Sequence, residues 1–201
     1  MTIVILISMM IGILFGKFIF PEQIIGNMGN IANMALFMLI FLVGLDVGSN
    51  KKILRDIKET GLKVLIIPFG TIVGSLTGGL ISGIIFKMPY NESLAVASGF
   101  GWYSLSAILL TDMANVANPN LGAIAFLSNV FREVMAVILI PILAKKLNNY
   151  TAIAPCGATS MDTTLPIVAK ATNSEIGVIS FINGVILSSL VPVFVTFFYN
   201  L

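Results

Sequence analysis

Asp162 stands in the run Gly157-Ala158-Thr159-Ser160-Met161-Asp162-Thr163-Thr164-Leu165-Pro166, whose side chains are mostly small, hydroxylated or acidic. A carboxylate flanked by the hydroxyls of Thr159, Ser160, Thr163 and Thr164 can replace the hydration shell of a cation or an ammonium group. Backbone broken by glycine and proline adds carbonyls and amides to that set. The plainer use of Asp162 or Ser160 is as a cap on a short helix beginning near Thr163. Glu133 is a second acid of the same kind. Asn129 precedes it by four positions, which puts amide and carboxylate on one helical face. Arg132 points about 100° away from Glu133, so it is not a ready counter-ion. A third group, Ser98-Gly99-Phe100-Gly101-Trp102-Tyr103-Ser104-Leu105-Ser106, joins flexible backbone to the hydroxyls of Ser104 and Ser106 and to the single tryptophan. Trp102 and Tyr103 can anchor at a membrane interface or hold an ammonium group against a ring face.

The surroundings of these groups are apolar. Of 201 residues, 57% are hydrophobic and 10% charged, and the mean hydropathy is +1.02. So few charges cannot cover the surface of a soluble domain, which makes this an all-α integral membrane protein. An aspartate or glutamate inside such a chain is costly and marks an ion or substrate path by default. With no histidine and one cysteine, neither a zinc nor a haem site is expected, nor an internal disulfide or other cofactor. Cys156 reads as a small packing residue beside Gly157. The net charge of +2 follows a membrane pattern and gives no reason to expect a nucleic-acid partner.

A bilayer-crossing helix needs about 20 apolar residues. Residues 2–20, 31–47, 62–86, 121–144 and 176–199 qualify as five transmembrane helices. The first lacks a basic lead and a cleavage site, so it reads as a retained span rather than a signal peptide. Segments 93–116 and 151–171 are long enough but rich in Gly, Ser and Thr, and each holds an aspartate, Asp112 or Asp162. Five of the eleven basic residues, Lys51, Lys52, Arg55, Lys58 and Lys63, fall in one short loop. That loop is expected on the cytoplasmic side, with Asp46 at the surface beside it, and it places the amino terminus inside. Lys145 and Lys146 also belong inside, which holds only if 93–116 dips in from the outer face and returns. Such backbone must line protein or a wet cavity. Segment 151–171 then forms a second, opposed re-entrant or broken-helix hairpin from the cytoplasmic face, and the carboxyl terminus lies outside.

The order hairpin-plus-helix therefore occurs twice, over 93–144 and 150–201, after a first part (1–92) of three helices and the basic loop, all in one transport domain. Leu121-Gly122-Ala123-Ile124-Ala125-Phe126 echoes Ile176-Gly177-Val178-Ile179-Ser180-Phe181 at an offset of 55 residues, which also pairs Ser104 with Thr159. Inverted repeats with broken elements meeting near the midplane are a design of secondary transporters. Glu133 lies about 12 residues into its span, roughly 18 Å along it and near the bilayer centre.

The Ser98–Ser106 run, Asn129-Val130-Phe131-Arg132-Glu133 and the Gly157–Pro166 run, in this order and spacing, resemble the lysine exporter LysO family of prokaryotes from about Leu36 onward. The resemblance implies export of L-lysine across the cytoplasmic membrane, with the family's two important acids falling on Glu133 and Asp162. It also implies a longer protein, with a further membrane region ahead of these motifs. The expectation is thus one part of a split transporter completed by a small membrane subunit of about three helices, or else a truncated piece. Lysine, with two ammonium groups and one carboxylate, would be exchanged for protons or sodium ions. Asn129, Ser104, Ser106, Trp102, Thr159, Ser160 and Thr163 would line the path, and the chain could form a homo-oligomer in the lipid. A cation/proton antiporter is the nearest alternative. An intramembrane aspartyl protease using Asp162 with Asp46 or Asp112 is disfavoured, because the paired aspartate motifs of that class are missing.

Overall fold

A computed structural model describes residues 64–114 and 117–201, with 11, 12, 14–16, 18, 20, 34 and 38. These isolated positions within the spans expected at 2–20 and 31–47 are helical apart from Phe20. The rest of those spans and the basic loop at 51–63 lie outside the described residues. Residues 1–49 form one compact unit and residues 50–201 a second.

Its elements are α1 (Ile66–Phe86), α2 (Tyr90–Ala97), α3 (Tyr103–Ala114), α4 (Leu121–Lys146), two 3-10 turns (Thr151–Ile153 and Gly157–Met161), α5 (Leu165–Ala171) and α6 (Ser174–Tyr199). No strand occurs among the described residues. Among them, three helices are long and apolar enough to cross a membrane, namely α1, α4 and α6. At 1.5 Å per residue, the 21 residues of α1 and the 26 of α4 and α6 give lengths of about 32 and 39 Å, beyond the ~30 Å of bilayer hydrocarbon. The molecule is an all-α integral membrane protein.

The other elements are short because their backbone is interrupted. α1 stops where Lys87 turns left-handed (φ 55°) and donates its N–H to the Gly83 and Ile84 carbonyls. Pro89 then opens α2. Close packing of α2 on α1 depends on two glycines. A Cβ on Gly79 would lie 2.5 Å from that of Ala97, and one on Gly83 would lie 2.8 Å from that of Ser93. Between α2 and α3 the chain reverses through Phe100 (φ 47°) and Gly101 (φ 98°). Asn118, just beyond α3, donates to the Glu92 carboxylate at the start of α2 (2.8 Å). Asn91 donates to the Tyr199 carbonyl (3.1 Å) and the Tyr199 hydroxyl to the Met113 carbonyl (3.2 Å). The start of α2 and the end of α3 therefore both meet the carboxyl end of α6.

Residues 147–173 make the converse excursion, from the end of α4 to the start of α6. Asn173 caps α6 by accepting from the Ile176 amide (2.9 Å). α5 begins beside Pro166, which fits a first turn because the N–H it lacks would be unpaired there. The matched glycines of the sequence echo have matched roles: a Cβ on Gly122 would run into Thr111 of α3, and one on Gly177 would lie 3.3 Å from the Ala169 Cβ of α5. Each lets a short returning helix lie against the long helix that follows it.

Candidate functional site

The two interrupted segments touch at their tips, midway along α4 and α6. The Ala158 amide donates to the Phe100 carbonyl (2.8 Å). Gly157, at φ 62°, makes this approach possible, since a Cβ there would collide with the Phe100 carbonyl oxygen and lie 2.9 Å from its carbon.

Each tip is held by an asparagine on a long helix. Buried Asn129 of α4 accepts from the Gly101 amide through Oδ1 (2.7 Å). Its Nδ2 donates to the Ala125 carbonyl (2.9 Å) and the Ser106 hydroxyl (3.3 Å). Gly99 must be small here, because a Cβ would lie 2.5 Å from that Nδ2. On the other side, Asn183 of α6 donates through Nδ2 to the Ser160 hydroxyl (2.9 Å) and the Gly157 carbonyl (3.3 Å). Ser180 donates to the Ser160 carbonyl (2.9 Å). The Gly157 carbonyl can only accept, which fixes Nδ2 of Asn183 toward it. Asn183 Oδ1 is then the one buried side-chain polar atom without a partner among the described residues.

The hydroxyls of the second tip are spent mainly on its own backbone. Thr159 donates to the Cys156 carbonyl (2.8 Å), Ser160 to that of Gly157 (2.7 Å) and Thr164 to that of Thr159 (2.9 Å). These three bonds hold a conformation that neither helix nor strand supplies. Thr159, Ser160 and Thr164 are buried, while Thr163 is half-buried.

Glu133 is half-buried on α4 and makes no side-chain hydrogen bond. Asp162 is exposed at the end of the second 3-10 turn. It accepts from the Thr163 amide and, at 3.2 Å, from the Thr163 hydroxyl. It does not cap α5, whose first residue is Leu165 and whose Thr164 N-cap makes no capping bond. One group ties the two acids together: the Tyr103 hydroxyl lies within electrostatic reach of both Glu133 and Asp162. The Tyr103 ring is braced edge-on against Phe126 at 5.4 Å between centroids. Trp102, half-buried beside it, closes the first tip with its amide on the Gly99 carbonyl (2.7 Å).

The structure thus gathers Asn129, Ser106, Thr159 and Ser160 into the tip crossing and sets Glu133 and Asp162 about Tyr103. Ser104 stands apart, exposed and without a side-chain hydrogen bond, unlike Thr159 with which the echo pairs it. No group of three or more His, Cys, Asp or Glu that could hold a metal occurs among the described residues. Sequence reasoning passed over Asn183, although an asparagine inside an apolar run is the same signal that marked Asn129. Arg132 was visible, but its partners were not. Its Nε donates to the Pro155 carbonyl (3.2 Å) and one Nη to the Ser75 hydroxyl (2.7 Å).

Long apolar helices flanking two interrupted segments whose tips touch define an integral membrane protein. The chain belongs to the lysine exporter LysO family, whose sequence model matches residues 6–199. It is 42% identical over 165 residues to the lysine exporter LysO of Escherichia coli (strain K12), covering 81% of this chain and 53% of that protein. It is 38% identical over 167 residues to a putative lysine exporter of Haemophilus influenzae (strain ATCC 51907 / DSM 11121 / KW20 / Rd), covering 81% of each. The chain therefore spans about half the length of the E. coli relative. No solved structure matches.

Proposed function

We propose that this chain exports L-lysine across the cytoplasmic membrane of a prokaryote, with Glu133 and Asp162 receiving its ammonium groups. The observation that carries the reading is the contact of the two interrupted segments at their tips, with Tyr103, three residues from that contact, within electrostatic reach of both acids. A dication with one carboxylate needs fixed negative charge where water is scarce, and intramembrane acids supply it at a cost only function repays. The family membership and the names of both relatives agree with this substrate.

In this reading α2–α3 and residues 151–171 are re-entrant hairpins from opposite faces, with the amino terminus inside and the carboxyl terminus outside. The opposed excursions, each held by an asparagine of the next long helix, support an inverted repeat. Asn129, Ser106, Thr159 and Ser160 fix the shape of the tips, and Trp102, Ser104 and Thr163 lie along the path. Moving a cation outward against a negative-inside potential costs about 2.3 kcal/mol per charge per 100 mV. Exchange for incoming protons or sodium ions offsets it. A small membrane subunit of about three helices is the partner proposed with this reading.

The test is lysine uptake into inverted membrane vesicles from cells expressing the chain with any native partner, under an imposed proton or sodium gradient. Glu133→Gln and Asp162→Asn should each abolish uptake at undiminished protein levels. Uptake by both variants at the wild-type rate would remove the site assignment. A response to sodium with none to lysine would favour a cation/proton antiporter.

A further inference from the structure

We infer that the cavity beside Arg132 seats the α-carboxylate of the transported amino acid; this rests on the export reading and adds the group that recognises the substrate's negative end. Arg132 lies in the middle of α4, one of the helices long and apolar enough to cross the membrane. A guanidinium stays charged under all ordinary conditions, and a charge held at that depth calls for an opposite charge. Its two hydrogen-bond partners, the Pro155 carbonyl and the Ser75 hydroxyl, are both neutral, and no described acid pairs with it. Glu133 follows it directly, about 100° further round the helix, and makes no ion pair with it.

The remaining Nη makes no hydrogen bond among the described residues and is not sealed off by them. Arg132 borders two cavities: one of about 410 Å³ on the Pro155 side, and one of about 190 Å³ between α1, α2 and α4, which Ser75, Ser82, Ser93, Ser128 and Asn129 also line. Ser82, Ser93 and Ser128 donate only to carbonyls of their own helices, and such hydroxyls can swing to an incoming anion. A planar fork with an unused arm and hydroxyls around it suits a carboxylate, which takes two parallel N–H bonds. No acid is among the described residues that line this smaller cavity. Arg132 and Glu133 thus give α4 a positive and a negative side, as a substrate with ammonium groups and a carboxylate requires. Asn129 borders the cavity and also holds Gly101, so an anion there sits one side chain from the tip contact.

The experiment compares L-lysine with cadaverine, which is lysine without its carboxylate, in the same inverted vesicles. The wild type should prefer lysine, and Arg132→Gln should lower the lysine-to-cadaverine preference by about tenfold or more, the loss expected when a charge-assisted bond is removed. Arg132→Lys keeps the charge but not the fork, and should fall between the two. It also decides the matter alone should Arg132→Gln fail to accumulate. An unchanged preference, or equal loss of both substrates as expected of a pin holding Pro155, overturns the inference while lysine export stands. A wild type that transports no lysine overturns the export reading and this inference with it.

Discussion

Gly157→Ala puts the contact of the two tips under the sharpest test. Gly157 sits at φ 62°, where a residue with a Cβ costs about 1–2 kcal/mol. The new Cβ would also enter the contact shell of the Phe100 carbonyl, lying 2.9 Å from its carbon and 3.3 Å from Arg132 Nε. Backbone on both sides cannot swing away as a side chain can, so the tips must part and the 2.8 Å bond from Ala158 to Phe100 is lost. A buried bond of this kind is worth about 0.6–1.5 kcal/mol. The sum is roughly 2–3 kcal/mol, a change of about 30- to 160-fold in the population of the closed arrangement. The control is Gly70→Ala on α1, where an added Cβ meets nothing within 4 Å and is expected to be neutral or stabilising by about 0.5 kcal/mol. Trp102, the single tryptophan, lies in the first tip and gives a fluorescence signal for melting in detergent. Gly157→Ala should lower the melting midpoint by several degrees and strongly reduce lysine transport, and Gly70→Ala should do neither. Wild-type melting and transport in Gly157→Ala would refute the tip contact.

The two helix-packing glycines should differ in a graded way. Gly122→Ala meets Thr111 and the Ala107 carbonyl (2.8 Å) and should destabilise by about 1–3 kcal/mol, whereas Gly177→Ala meets only a Cβ at 3.3 Å and should cost well under half of that, as read by melting. Tyr103→Phe keeps the edge contact with Phe126 but removes the hydroxyl within reach of both acids. It should change the lysine KM several-fold with the melting midpoint within a degree or two of wild type, since no side-chain hydrogen bond is lost; an unaltered KM would place Tyr103 outside the path.

Much of this was legible because membranes penalise polar groups by type. Glu133, Asp162 and Asn129 stand out in apolar surroundings on cost alone, and Gly157 and Gly101 mark the points where the backbone must turn left-handed. The alternation of long apolar runs with short hydroxyl-rich ones also locates both interruptions. What spacing does not carry is contact between elements far apart in sequence. Arg132 meets Ser75 and Pro155 across separations of 57 and 23 residues, and Tyr103 stands near acids on two other elements, so neither role follows from one helix's periodicity. The offset of 55 aligned Gly122 with Gly177 correctly in function but set Asn129 against Gly184. The asparagine with the equivalent task is Asn183, one position away, and letter matching missed the correspondence. The hydroxyls around Asp162 read from sequence as a ligand set or a helix cap, and what spacing does not carry is that Thr159, Ser160 and Thr164 also donate to the backbone of their own turn.

The most direct measurement of the central claim is lysine counterflow in proteoliposomes containing the purified chain with any native partner, because counterflow needs no knowledge of the coupling ion. Vesicles preloaded with unlabelled L-lysine should accumulate external labelled lysine transiently above equilibrium. The overshoot should vanish in Glu133→Gln and in Asp162→Asn and persist in Gly70→Ala. An overshoot of wild-type size in both acid variants, or none in the wild type, would contradict the account.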